Sequence, residues 1–218
     1  PNNVITCYVS QNTRKLQIPN GWLACAPFGD IVECTLPHGS AVAGFVPCKC
    51  PLSERFSDPS ECSSPLSAKD MFSPALFIEE QNRIGHRIGM VVDLTFTRKY
   101  YDGEKEFVAR GLKYLKIMTP GHAETPSAQN LNRFMTEVEQ FWKERPNECV
   151  AVHCTHGFNR TGFFLVSFLV EMGRLPVSRA LATFAAARHP GIWDTGYIEE
   201  LHRRYGEAPP SPSCFPPP

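Results

Sequence analysis

His153-Cys154-Thr155-His156-Gly157-Phe158-Asn159-Arg160-Thr161-Gly162 lies between two apolar runs, and those runs say what the stretch is. Before it, Glu148-Cys-Val-Ala-Val-His153 is short and rich in β-branched residues, which predicts a buried strand. After it, Phe163 to Val170 reads as a buried helix, with Gly173 and Pro176 marking its end. A strand, a tight loop and a helix start make an anion site. The loop N–H groups turn inward and the helix N-terminus adds partial positive charge.

In that frame a cysteine precedes an arginine in a Cys-x5-Arg spacing. A free thiol has a pKa of about 8.5, and beside a cation at a helix start it can fall to roughly 3.5–7.5. Cys154 is therefore expected to be a thiolate that can attack phosphorus. Arg160 would grip two phosphoryl oxygens with its planar fork. Thr155, His156, Gly157, Phe158 and Asn159 would complete the phosphate-binding loop, with Gly157 permitting the turn. Thr161 offers a hydroxyl near the thiolate, and His153 is expected to orient the loop or the cysteine. The plain alternatives are a core cysteine or a chance spacing; the glycine, the Thr-Gly pair and the strand–helix frame together weigh against them. His153, Cys154 and His156 are poorly spaced for zinc and no Cys-x2-Cys occurs, so neither a metal nor a cofactor is expected.

The string resembles the phosphate-binding loop of the cysteine-dependent phosphatases, and more narrowly that of their RNA 5′-triphosphatases. These are the N-terminal domain of animal and plant mRNA capping enzymes and a related stand-alone RNA phosphatase. Gly21-Trp-Leu23, Val91-Val-Asp-Leu-Thr95, Tyr100-Tyr-Asp102, Gly111-Leu-Lys-Tyr-Leu-Lys116, Ala187-Arg-His-Pro-Gly-Ile192 and Arg203-Arg-Tyr-Gly206 agree, so the likeness runs from about Pro19 to Gly206. It implies metal-independent removal of the γ-phosphate from 5′-triphosphate RNA through a cysteinyl-phosphate, as the first step of mRNA capping. It also implies a nuclear monomer, with RNA polymerase II or a guanylyltransferase domain as partner; the stand-alone relative goes on to the 5′-monophosphate. Lys99-Tyr-Tyr-Asp-Gly103 is one residue too long for the guanylyltransferase Lys-x-Asp-Gly motif, so that second activity is not expected in this chain.

Composition agrees with such an enzyme. A chain of 218 residues can bury a substantial core in one domain. Its 22 Lys and Arg balance 22 Asp and Glu, so any RNA contact must be local. The cysteines number 9, are irregularly spaced and follow no leader-like run, which predicts reduced thiols inside the cell. The longest apolar run is far too short to cross a membrane.

Three parts are expected: an N-terminal arm over 1–18, a phosphatase domain over 19–206 and a proline-rich tail over 207–218. Strands are predicted over 41–46 (ending at Pro47), 90–94, 113–118 and 149–153. Helices are predicted over 75–87, 127–144, from Arg160 onward, 177–187 and 197–205. Alternation of this kind gives an α/β fold, a parallel or mixed central sheet with helices on both faces. Residues 48–74, rich in Ser, Pro and Cys, read as a long surface loop; Cys48, Cys50 and Cys62 read as free thiols, with a metal site as the alternative.

Leaving-group chemistry separates the substrates. A tyrosine or serine oxygen needs a general acid, worth about 10²–10⁴-fold. Protein phosphatases of the resembled superfamily supply it as an aspartate from a mobile loop. The corresponding stretch here, Thr119-Pro-Gly-His-Ala-Glu-Thr-Pro126, has no Asp. A diphosphate leaving group needs less help, since a phosphate monoester has a second pKa of about 6. Asp93, Asp102, Glu124 and His122 remain candidates for an acid, Asp93 foremost as a catalytic group at a strand end. Arg98, Lys99 and Arg188 are candidates for extra triphosphate or RNA contacts. Tyr100 and Tyr101 could stack on a base or pack in the core.

Overall fold

The protein, seen as a computed structural model, is described over residues 15–206 apart from His38, His122 and Ala123. The expected tail at 207–218 and most of the expected arm lie outside the described residues. Residues 15–18 correct the arm's boundary: Leu16 forms a bridge with Cys62, and its amide donates to the Glu61 carbonyl at 2.8 Å.

The sheet has four strands, β1 (Phe45–Cys48), β2 (Ile88–Asp93), β3 (Lys113–Lys116) and β4 (Cys149–His153), in the order β1-β4-β2-β3. Every pair is parallel, which settles the mixed-or-parallel expectation. β4 is central and buried along its whole length, as strands covered on both faces are. β1 runs through Pro47 instead of stopping before it. Proline donates no ladder bond, and β1 is an edge strand where that donor is dispensable.

One face carries the regular helices α3 (Ala128–Glu144), α4 (Asn159–Glu171), α5 (Val177–Ala187) and α6 (Thr195–Tyr205). α3 starts on Ser127, whose hydroxyl accepts from the Asn130 amide, and buries Leu131, Phe134, Val138, Phe141 and Trp142. α4 is apolar nearly all round because it packs between the sheet and its neighbours. Val150 and Val152 of β4 point to this face, and Cys149 and Ala151 to the other, following the strand period.

The other face corrects the surface-loop reading of 48–74. Cys48, Cys50, Leu52, Phe56, Cys62, Leu66 and Phe72 are buried there with Trp22, Phe77 of α1 (Pro74–Arg83), Tyr100, Tyr101 and Phe107. α2 (Gly103–Glu106) is a single short turn on the same side. The segment wraps the sheet with irregular backbone and drops one apolar side chain inward every few residues, a cover without a period.

Candidate active site

The loop after β4 begins where the sheet ends. Cys48 of β1 pairs with His153 of β4, so the backbone of 48–50 runs directly beside residues 154–157. Gly157 has φ 80°, and a Cβ there would stand 2.3 Å from the Cys48 carbonyl oxygen. Glycine is therefore required by conformation and by space.

The loop's carbonyls all face outward. Thr155 O accepts from the Cys50 amide at 3.1 Å. His156 O accepts from Arg188 Nη2 at 3.0 Å and Gly157 O from Arg188 Nε at 3.4 Å. In a planar trans peptide the C=O and the following N–H point oppositely, so the amides of 156, 157 and 158 turn inward. The Gly157 amide meets the Cys154 sulfur at 3.3 Å. Phe158, the residue before α4, offers no side-chain cap, which leaves the first helical N–H groups as donors to the same space.

Cys154 is 4 % exposed, at the floor of this cradle. Burial alone would push its thiol pKa up. The Arg160 charge, the Thr161 hydroxyl and amide and the Gly157 amide outweigh that, and the pKa falls below the ordinary thiol value. The Thr161 hydroxyl is buried and satisfies no other hydrogen-bond partner.

Arg160 is held from outside. Its Nη1 donates to Thr119 O at 2.9 Å and Leu94 O at 3.4 Å, and its Nη2 to Thr155 Oγ1 at 3.0 Å. A guanidinium has five N–H donors. These contacts leave Nε–H and one Nη2–H without protein partners among the described residues, adjacent donors on one edge of the fork.

Beneath the loop lies a buried polar layer. His153 is fully buried; its Nδ1 stands 3.1 Å from the Cys154 carbonyl and its Nε2 2.5 Å from the Tyr101 hydroxyl. A carbonyl only accepts, so Nδ1 carries the proton and Nε2 accepts from Tyr101. Burial holds the imidazole pKa below its ordinary value, against the pull of Asp93, and keeps the ring neutral. Through these two bonds His153 ties the end of β4 to the loop and to Tyr101.

Asp93 departs from the catalytic role expected of it. Its carboxylate accepts from the Thr95 amide and hydroxyl at 2.8 and 2.7 Å and from Tyr114 at 2.9 Å, and pairs with Lys116 at 2.9 Å. Burial raises its pKa, but the charge of the Lys116 ammonium and the hydrogen bonds from Lys116 and Thr95 act against this, and the net shift is downward. A carboxylate so engaged, and ionised, holds the ends of β2 and β3 together and has no proton to lend.

Arg188 also departs from expectation. Only 2 % exposed, it bonds Ala26 O at 2.8 Å besides the two loop carbonyls, and its guanidinium lies 4.6 Å over the Phe158 ring. All its contacts are on the loop's outer side, away from a substrate. The Asn159 side chain likewise turns outward, accepting from the Trp193 and Asp194 amides at 3.1 and 3.2 Å. His156 donates to Asn20 O at 2.7 Å. Tyr100 and Tyr101 are core residues.

Arg98 and Lys99 are exposed, with no carboxylate in ion-pair range among the described residues. They border a cleft of about 720 Å³ that also takes in Arg55, Tyr101, Lys105 and Arg110. That cleft is separate from the cradle, with Tyr101 between it and His153. Glu124 is exposed, and its carbonyl is held by the Tyr197 hydroxyl at 2.9 Å; His122 lies outside the described residues. Cys48, Cys50 and Cys62 are separate buried free thiols, and no cluster of three metal-ligating side chains occurs among the described residues.

The buttressing contacts were not legible beforehand. Arg188 and Tyr101 lie in strings that carry the resemblance, but nothing in those strings marks either as a support for the loop, and Cys50 stands far from it in sequence.

Known proteins resemble this chain. The chain is 38% identical over 200 residues to a mouse mRNA-capping enzyme, covering 90% of this chain but 31% of that protein. The chain thus spans about a third of the length of the capping enzyme it matches. It is 33% identical over 171 residues to a Caenorhabditis elegans RNA/RNP complex-1-interacting phosphatase homolog, covering 75% of this chain and 71% of that one. A protein tyrosine phosphatase from Leishmania major superposes with a TM-score of 0.56 at 19% identity over 78% of this chain and 94% of its own, which shows a common fold. Residues 76–205 match the catalytic domain of the dual specificity phosphatases. That match covers more than half of the chain, and the chain belongs to the dual specificity phosphatases by its catalytic domain.

Proposed function

We propose that this domain removes the γ-phosphate from 5′-triphosphate RNA, leaving a 5′-diphosphate end. The observation that carries the reading is the loop itself: inward amides, a free Arg160 edge and a lowered Cys154 pKa, with no aspartate in the segment over the site. The names of the capping-enzyme and RNA phosphatase relatives point the same way.

The γ-phosphoryl group sits in the loop with two oxygens on Arg160. The Cys154 thiolate attacks phosphorus in line; an S–P bond forms and the bridging O–P bond breaks. The diphosphate end leaves with the electron pair and needs little protonation. Water then attacks the cysteinyl-phosphate, the S–P bond breaks, phosphate departs and the thiolate returns, supported by the Thr161 hydroxyl. Inward donors stabilise charge on the equatorial oxygens throughout. Such a product suits a guanylyltransferase, supplied by another domain or protein near RNA polymerase II in the nucleus.

The test uses RNA labelled separately at its γ- and β-phosphates, beside a phosphotyrosine peptide. The reading expects γ-label release, abolished by Cys154→Ser and unaffected by chelator. Release of β-label as well would move the product to the monophosphate. Faster turnover of the peptide than of RNA, or loss of activity with chelator, would overturn the proposal.

A further inference from the structure

Four of the seven exposed large apolar side chains among the described residues lie close to the catalytic loop. Trp193 is 61 % exposed, Phe96 59 %, Leu23 57 % and Met118 41 %. Each comes from a different segment, and each sits at or near a backbone group that touches the loop. The Trp193 amide itself bonds Asn159. Met118 precedes Thr119 and Phe96 follows Leu94 by two positions, the two residues whose carbonyls hold Arg160. Leu23 follows Asn20, whose carbonyl holds His156. Leu23 lies three residues from its anchor and the others two or fewer, so each side chain is rooted within about 10 Å of a group that touches the loop.

Folding gains nothing from leaving two aromatic rings in water around a site for a highly charged anion. Next to Phe96, Arg98 and Lys99 are exposed and without carboxylate partners among the described residues. Flat rings near a phosphate cradle, with unpaired cations bordering the neighbouring cleft, have the composition of single-stranded nucleic-acid sites: π-faces for bases, cations for the backbone. We infer that Trp193 and Phe96 stack on the bases of the first nucleotides behind the triphosphate, with Arg98 and Lys99 meeting the following phosphates. This rests on the proposed RNA 5′-phosphatase reading and extends it to what the enzyme recognises beyond the phosphates.

The chain carries its own reporter. It has 3 tryptophans; Trp22 is 0 % and Trp142 1 % exposed, so a ligand can touch only Trp193. In Cys154→Ser protein, a short triphosphate-ended oligoribonucleotide is expected to quench tryptophan emission. Inorganic tripolyphosphate, with the charge but no base, is expected to leave it. In steady-state kinetics, Trp193→Ala and Phe96→Ala should each lower kcat/KM for that RNA relative to tripolyphosphate by roughly tenfold, the order of one base–aromatic stack. Trp193→Phe should recover most of the loss. The Trp193 amide contact to Asn159 is backbone, so it survives these changes.

If RNA is hydrolysed but the ratio stays put and emission does not respond, this inference fails and the functional reading stands. If wild-type protein releases no phosphate from RNA, both fail. A larger loss on the phosphotyrosine peptide than on RNA would assign the exposed rings to a polypeptide and overturn the inference.

Discussion

On its inner surface the loop of residues 154–160 presents amides, a thiolate and an arginine edge. On its outer surface, the carbonyls of Thr155, His156 and Gly157 each have a protein donor. The two surfaces are one arrangement. A peptide whose carbonyl is tied outward must aim an N–H inward. Arg188 and Cys50 therefore fix the direction of the amides that face Cys154. Inner groups should then act mainly on chemistry, and outer groups on chemistry and stability together.

Arg160→Lys gives the largest contrast. Lysine keeps the charge but not the fork, and loss of one such transition-state contact costs about 10²–10³-fold in kcat. The thermal midpoint should fall too, through the bonds to Thr119 O and Leu94 O, but by less than in Arg188→Met, and calorimetry beside the phosphate-release assay checks both. A loss of stability as large as in Arg188→Met would blur the division.

Arg188→Met comes next. It strips donors from buried carbonyls, at about 1–3 kcal/mol for each left unpaired. Denaturant melts should show the destabilisation, and kcat should fall as the loop amides lose their aim. Unchanged kcat in a destabilised protein would mean the loop holds its shape without its outer props.

The acid limb of Cys154 reactivity is a third probe. A lowered thiol pKa means the thiolate persists as pH falls below the usual thiol range and disappears only on passing the folded value. Alkylation rates against pH, mapped to Cys154 by mass spectrometry, should show that limb. In Arg160→Met it should move to higher pH, because burial then acts with less opposition. A limb that stays put would assign the shift to the loop amides and Thr161.

Tyr101→Phe should have the smallest effect. It removes one donor to His153 Nε2, at about 1 kcal/mol, or roughly 2–4 °C in the thermal midpoint for a chain of this size. Turnover should fall only slightly, since His153 Nδ1 keeps its bond to the Cys154 carbonyl.

The same division explains what sequence could tell. The nucleophile, the arginine, the glycine turn and the flanking strand and helix lie within a few residues of one another, so local pattern carries them. Helix 177–187 has its predicted bounds because Pro176 starts it and its apolar period is unbroken. The outer supports come from segments 100 or more residues away or from the next helix end, and nothing local marks Arg188 as a buttress instead of a substrate contact. Asp93 misled for a related reason: a carboxylate at a strand end reads as catalytic until its partners Lys116, Thr95 and Tyr114 are visible. Residues 48–74 misled because an irregular cover has no period, and Ser and Pro say turn whether or not the turn is buried.

The sheet order has a bearing on how the enzyme is made. β1 bonds within the sheet only to β4, and β4 is both an inner strand and the last of the four to be translated. Until it arrives, the first strand has only its isolated antiparallel bridges to Val32 and Phe28, and β2 with β3 forms a separate ribbon. A nascent chain therefore holds no half-built phosphatase on the ribosome. Pairing of that one late strand joins the two parts and brings Cys154, the residue after its last, His153, to the end of the sheet.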